Sequence, residues 1–206
     1  LIKNITDLNL FVRFIKLCAG RIGQLLNLSS ISNECGISQP TAKAWLSALE
    51  SSYIIYLLKP HHKNYNKRLV KTPKLYFYDT GLACSLLGLE NSKQLSTHYM
   101  RGELFENFII TEYVKSEYNK VKEPNIYFWR DNIGNEVDLI IDDSSTLKGV
   151  EIKSGATYKE EFFKGINYWK KLSKTSCNNI IYGGDLSMET KHGKLVSWKD
   201  WAEQLS

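Results

Sequence analysis

Nothing in this sequence of 206 residues is long and apolar enough to span a bilayer as a helix. The longest apolar pieces, YIIYLL and FFKGINYW, are short and mixed. No signal-peptide pattern is present, and the chain opens on Leu1 rather than Met, so a segment internal to a longer protein is expected. No GxxxxGK[ST] stretch occurs, which excludes a P-loop from these residues. The four cysteines, Cys18, Cys35, Cys84 and Cys177, form no CxxC pair and have no histidine at zinc-finger spacing. Reduced, buried thiols of a cytoplasmic protein are expected instead. With 43% hydrophobic residues the chain can build cores for one large or two small domains.

Acidic residues are scarce in the first half. Residues 1–98 carry 12 Lys and Arg against 5 Asp and Glu, a net of +7, whereas residues 99–206 carry 15 against 17, a net of −2. Such a shift points to two modules with different tasks.

DLNLFVRFIKLCAGR places Leu10, Phe11, Phe14, Ile15, Leu17 and Cys18 at helical spacing, with Thr6 or Asp7 as its cap. IGQLLNLSS reads as a linker, followed by a short piece, ISNECGI, closed by Gly36. SQPTAKAWLSALESS then starts a helix with Ser38 as N-cap and Pro40 in the first turn, packing through Ala44, Trp45, Leu46 and Leu49. Two helices about a glycine turn make a helix-turn-helix. YIIYLL and KLYFYD are strand-like, and residues 59–74 between them hold six basic residues and no acidic one. Helix-turn-helix, strand, basic loop and returning strand is the layout of a winged helix. Gln39, Thr41 and Lys43 would open the recognition helix, with Lys63, Lys67 and Arg68 on the wing. Such units also serve as protein-interaction modules; the basic segment puts DNA first, through salt-sensitive phosphate contacts.

After a polar run near Ser92 to Thr97, HYMRGELFENFIITEYVKSEYNK reads as a helix that places the carboxylate of Glu106 beside an apolar stripe. NIYFWRD, NEVDLIID and GVEIKSG read as three strands, YKEEFFKGINYWKKL as an amphipathic helix and NNIIYGG as a further strand. That order predicts a mixed α/β sheet with flanking helices. With a four-residue turn from Asp143 to Thr146, Leu139 faces Val150 and Asp138 faces Glu151. Alternation then puts Val137, Leu139, Ile141, Val150 and Ile152 on the core face, and Glu136, Asp138, Ile140, Glu151 and Lys153 on the other. Glu136 with Lys153 would be a cross-strand ion pair. Asp138 facing Glu151 brings like charges together, which calls for a cation, and hard oxygen ligands favour Mg²⁺ or Mn²⁺.

Asp138 followed by Glu151-Ile152-Lys153, with Glu106 on an upstream helix, resembles the PD-(D/E)XK nuclease pattern. RGELFENF, NEVDLII, VEIKSG and IIYGG resemble the C-terminal domain of unknown function attached to bacterial and archaeal AAA+ ATPases. LLNLSS, TAKAWLSALESSYII and KRLVKTPKLYFYDTGLACSLLG extend that likeness over nearly the whole chain. The resemblance implies an N-terminal winged helix-turn-helix (residues 1–95) and a restriction-endonuclease-like α/β (α+β) domain (residues 96–206). It also implies that ATP binds only through an upstream domain. In that family Asp138 and Glu151 would hold the metal and Lys153 would serve the attacking water, with Glu106, or alternatively Glu103, completing the site. Val137 stands where the family motif has Pro, and only Asn167 or Tyr168 could replace the polar residue that often follows on the next helix.

The function expected is Mg²⁺- or Mn²⁺-dependent hydrolysis of DNA phosphodiesters, aided by the winged helix. A non-catalytic DNA- or protein-interaction module is the alternative, and a solvated acidic face with a structural role comes third. No membrane partner is expected, and the oligomeric state is left open.

Overall fold

A computed structural model describes residues 7–61, 70–143, 146–175 and 178–205. The chain divides into two compact units, residues 1–57 with 73–107 and residues 58–72 with 108–206. This division differs from a boundary at 95/96 in two places. The basic segment after the first strand goes with the second unit, and the start of the long helix goes with the first.

In the first unit, α1 (Leu8–Ala19) starts where the Asp7 carboxylate accepts the Leu10 N–H at 3.0 Å, and it buries Phe14, Cys18 and Ala19. The next helix begins inside the stretch read as a linker. Asn27 caps α2 (Leu28–Cys35), which ends at Gly36 in the left-handed conformation, φ 78°. Ser38 caps α3 (Gln39–Ser51), which turns Ala42, Trp45, Leu46 and Leu49 inward. Ala44, expected on that packing side, is exposed, because the buried stripe runs through Ala42 instead. β1 (Ile55–Leu58) and β2 (Lys74–Phe77) form a two-stranded sheet. Residues 22–25 bridge to β2, with Gly23 N donating to the Leu75 carbonyl at 2.9 Å. α4 (Thr80–Leu86) and α5 (Ser92–Thr97) follow.

The second unit is built on a six-stranded mixed sheet. Its strands are β3 (Ile126–Arg130), β4 (Glu136–Asp142), β5 (Leu147–Lys153), β6 (Asn178–Tyr182), β7 (Met188–Thr190) and β8 (Gly193–Ser197), in the order β3-β4-β5-β6-β8-β7. β4 is antiparallel to β3 and β5, whereas β5, β6 and β8 run parallel. The helices are α6 (Arg101–Asn119), within which the division of units falls, α7 (Lys164–Ser173) and α8 (Trp198–Leu205). β7, β8 and α8 were not foreseen in the sequence.

Both faces of this sheet are core. A side chain at Gly149 would meet Trp169 at 2.6 Å and Ile166 at 2.8 Å, so Gly149 faces α7. Its neighbours Val150 and Ile152 point the other way and are also buried. The face expected to be polar therefore carries Ile140 and Ile180, in one apolar cluster with Ile166 and Trp169 of the helix over residues 164–173. Val137 joins that cluster too, against the simple alternation. Tyr127 faces Ile140 but Trp129 faces Val137, so β4 holds one extra residue at a bulge spanning Asp138 and Leu139.

The expected wing also differs at its described ends. Phe128 N donates to the Lys59 carbonyl at 3.1 Å, His61 N to the Phe128 carbonyl at 2.7 Å, and Val70 N to the Arg130 carbonyl at 3.1 Å. These described ends extend the edge of the sheet at β3. β3 is an edge strand whose unpaired groups attract such cover. Lys63, Lys67 and Arg68 lie outside the described residues.

Candidate functional site

Asp138, Glu151 and Lys153 meet where β4 and β5 part. The two strands pair from Asp142 and Leu147 to Leu139 and Val150, in the register expected from the sequence. Past that point the ladder stops, and the Asp138 Oδ2 accepts the Ile152 N–H at 2.8 Å. The bulge on β4 thus turns a carboxylate into the place of a backbone partner. Lys153 Nζ lies 2.6 Å from Glu151 Oε1 and 4.0 Å from Asp138 Oδ2. Glu136, the expected partner of Lys153, pairs instead with Arg130 across β3 and β4 at 3.2 Å. The bulge places these two side by side in the ladder.

Two carboxylates share one ammonium, which leaves the cluster with a formal charge of −1. Glu151 is 7% exposed and Asp138 8%, in surroundings where a charge is costly unless matched. Gly165, in the first turn of α7, is what lets the helix approach. A Cβ there would lie 2.8 Å from the Glu136 carbonyl oxygen and 3.5 Å from both Glu151 carboxylate oxygens. Sequence reasoning passed over Gly165, although a glycine inside an amphipathic helix costs about 1 kcal/mol relative to alanine and signals a close contact. Of the two residues proposed to follow on this helix, Tyr168 packs toward Trp129, ring centroids 6.2 Å apart, and Asn167 is half-buried.

Glu106 belongs to the first unit. Its Oε1 accepts from Lys74 Nζ at 3.0 Å and from the Tyr76 hydroxyl. Lys74, read as part of a basic loop, is buried at 3% exposure. The adjacent Asn107, also missed, is fully buried and brackets one β2 residue: its Oδ1 accepts the Phe77 N–H at 2.7 Å and its Nδ2 donates to the Phe77 carbonyl at 3.0 Å. Glu103, in the same turn of α6, packs its stem near Gly23. On α3, Gln39 and Lys43 are exposed, while Thr41 is half-buried, its hydroxyl 2.8 Å from that of Ser38.

Asp138 and Glu151 supply hard oxygen donors that both lie within 4.0 Å of the Lys153 ammonium, a cation that already answers part of their charge. That donor chemistry fits Mg²⁺ or Mn²⁺, which take one or two carboxylates and complete their shell with water or phosphate oxygens. Among the described residues, no group of three or more His, Cys, Asp or Glu side chains is placed to hold a metal.

Two domains of unknown function are found along the chain. Residues 1–93 match the family described as Domain of unknown function (DUF8612), and residues 101–201 match Domain of unknown function (DUF4143). The chain is also similar to uncharacterized proteins of Mycobacterium bovis and Mycobacterium tuberculosis, each 31% identical over 136 residues. Those matches cover 66% of this chain and 30% of each relative, so the chain spans well under half the length of either.

Proposed function

We propose that the chain is the C-terminal region of a AAA+-type ATPase, in which a winged helix grips DNA and a PD-(D/E)XK-like unit hydrolyses its phosphodiesters. The observation that carries the reading is the meeting of Asp138, Glu151 and Lys153 at the point where β4 and β5 separate. The mixed sheet with α7 on the face of these residues agrees with such a fold. The attachment to an ATPase rests on the family resemblance of the C-terminal half and on relatives long enough to hold a further domain.

Asp138 and Glu151 would hold Mg²⁺ or Mn²⁺. When bound, the metal would lower the pKa of a water and offset charge on the phosphate. Lys153 would donate to a non-bridging phosphate oxygen and hold the attacking water by hydrogen bonding. The Ile152 N–H fixes the Asp138 carboxylate, so the ligand is oriented before any cation arrives. Glu106 is left out of this machinery, since Lys74 and Tyr76 are the partners of a structural clasp. DNA contact would come from Gln39 and Lys43 on α3 and from Lys63, Lys67 and Arg68.

A second reading has its own support. Lys153 sits directly on Glu151 at 2.6 Å, an arrangement that also suits a silent interaction module. Incubating the protein with supercoiled plasmid and Mn²⁺ separates the two. Nicking that disappears in Lys153→Ala and Asp138→Asn is expected for the nuclease; no nicking by wild type with abundant Mn²⁺ leaves the interaction module. Neutralising Lys67 and Arg68 should weaken DNA binding alike across sequences and lower the salt slope by about one per lost phosphate contact.

A further inference from the structure

The second unit contains a cavity of about 710 Å³ that the nuclease reading does not use. It opens at the other end of the β4–β5 hairpin, where Asp142 faces Leu147, four residues or about 13 Å along β4 from Asp138. One wall is aromatic: Tyr113 of α6 stacks on Trp201 of α8, ring centroids 6.1 Å apart and planes 20° from parallel. Four carboxylates, Glu117, Glu123, Asp142 and Asp143, line the rest.

Two lysines, Lys122 and Lys148, also line it, leaving a formal charge of −2 in a chain whose net charge is +5. Two ion pairs to these acids are long and solvated. Lys148 lies 3.7 Å from Asp143 and Lys120 3.6 Å from Glu117, with both lysine side chains more than 40% exposed. Pairs of that kind contribute little and exchange readily for a better cation. Glu117 is the more sheltered of the two paired acids here, its side chain 18% exposed against 66% for Asp143. The Tyr113 hydroxyl responds to the same field: its pKa is pushed up to about 12, first by burial and then by the charges of Glu117 and Asp143.

We infer that this cavity is a binding site for a guanidinium or ammonium group on a flexible chain. The negative lining repels phosphate, so the site cannot be a second DNA contact. A carboxylate rim with aromatic faces suits an organic cation, which pairs with the acids while its apolar stem packs on Tyr113 and Trp201. Two sources share that chemistry, a free polyamine and a basic side chain of a peptide.

Isothermal titration calorimetry on the 206-residue chain at low salt tests the site with spermidine, with a blocked Gly-Arg-Gly peptide and with its citrulline counterpart. Saturable binding of one cation or both is expected, and the cation that binds identifies the source. The neutral citrulline peptide should not bind. Glu117→Gln with Asp142→Asn should weaken binding about tenfold. Glu189→Gln, an exposed acid of β7 that does not line the cavity, should leave it unchanged. Should the double variant fail to fold, Glu117→Gln alone should weaken binding about threefold. No saturable binding of either cation, equal binding of the citrulline peptide, or equal weakening by Glu189→Gln overturns the inference.

Discussion

Each unit holds a sheltered lysine against glutamate, and the two arrangements differ in what they leave over. In the first, Lys74 and Glu106 form a pair with side chains 4% and 15% exposed, and Tyr76 donates to the same oxygen. One positive charge meets one negative charge, away from solvent. In the second, Lys153 is 33% exposed and serves both Glu151 and Asp138. One charge is left over, and solvent reaches the group that could give way. A balanced, closed pair fastens two elements together. An unbalanced, open one can exchange its cation for another. The sequence shows the same residue types in both places, so it is the count and the access that separate clasp from site.

Breaking the clasp should give the largest effect. Glu106→Ala takes the carboxylate away from the buried Lys74 ammonium and should cost about 3–5 kcal/mol in urea denaturation. Replacing the pair together, Glu106→Leu with Lys74→Met, should recover much of that loss. Glu151→Gln should cost less than about 1 kcal/mol, because Lys153 keeps Asp138 and reaches water. Equal costs for Glu106→Ala and Glu151→Gln would erase the contrast.

A smaller effect is expected where α7 meets the open cluster. Gly165→Ala would put a Cβ 2.8 Å from a backbone carbonyl that cannot swing aside. It should destabilise by about 1–3 kcal/mol, and should also disturb Glu151. Thermal melting measures the first, and metal titration of the variant measures the second. A variant as stable as wild type would mean that α7 does not depend on that close approach.

Titration separates the units more gently. Burial pushes the Cys18 thiol in the first unit from 9.0 to about 12, and Tyr113 in the second rises from 10.0 to about 12. Both groups are held neutral by the fold but ionise once unfolded. Each therefore adds stability that is complete below its ordinary value and lost as pH rises through the folded one. Stability should begin to fall near pH 9 because of Cys18, by at most about 1.4 kcal/mol per pH unit. Tyr113 should add to the decline only above pH 10. Denaturant titrations across this range should show Cys18→Ala flattening the first part of the decline and Tyr113→Phe the second. An unaltered slope in Cys18→Ala would contradict the assignment.

Much of this was legible in the sequence because it is local. The caps at Asp7 and Ser38, the glycine at 36 and the pairing of Leu139 with Val150 all follow from neighbours in the chain. The mixed helix and strand composition of an α/β chain was equally plain. Distant partners were not. The bulge in β4 depends on β3, and it moved Val137 to the other face and Glu136 to Arg130. Lys74 looked like one more loop cation because Glu106 stands 32 residues further on. The ends of the basic segment looked like a hairpin loop because nothing nearby revealed that β3 would take them as an edge.

The central claim is that Asp138 and Glu151 carry a charge that Lys153 alone does not balance. The most direct measurement is the melting temperature of wild type and Asp138→Asn, each in EDTA and in excess Mn²⁺. A bound ion at a hundredfold excess over its Kd adds about 2.7 kcal/mol, so wild type should melt several degrees higher with Mn²⁺. Asp138→Asn keeps an oxygen for the Ile152 N–H but removes the surplus charge. It should melt above wild type in EDTA and lose most of the gain from Mn²⁺. Wild type that melts at one temperature with or without Mn²⁺, and no higher melting of Asp138→Asn in EDTA, would contradict the account.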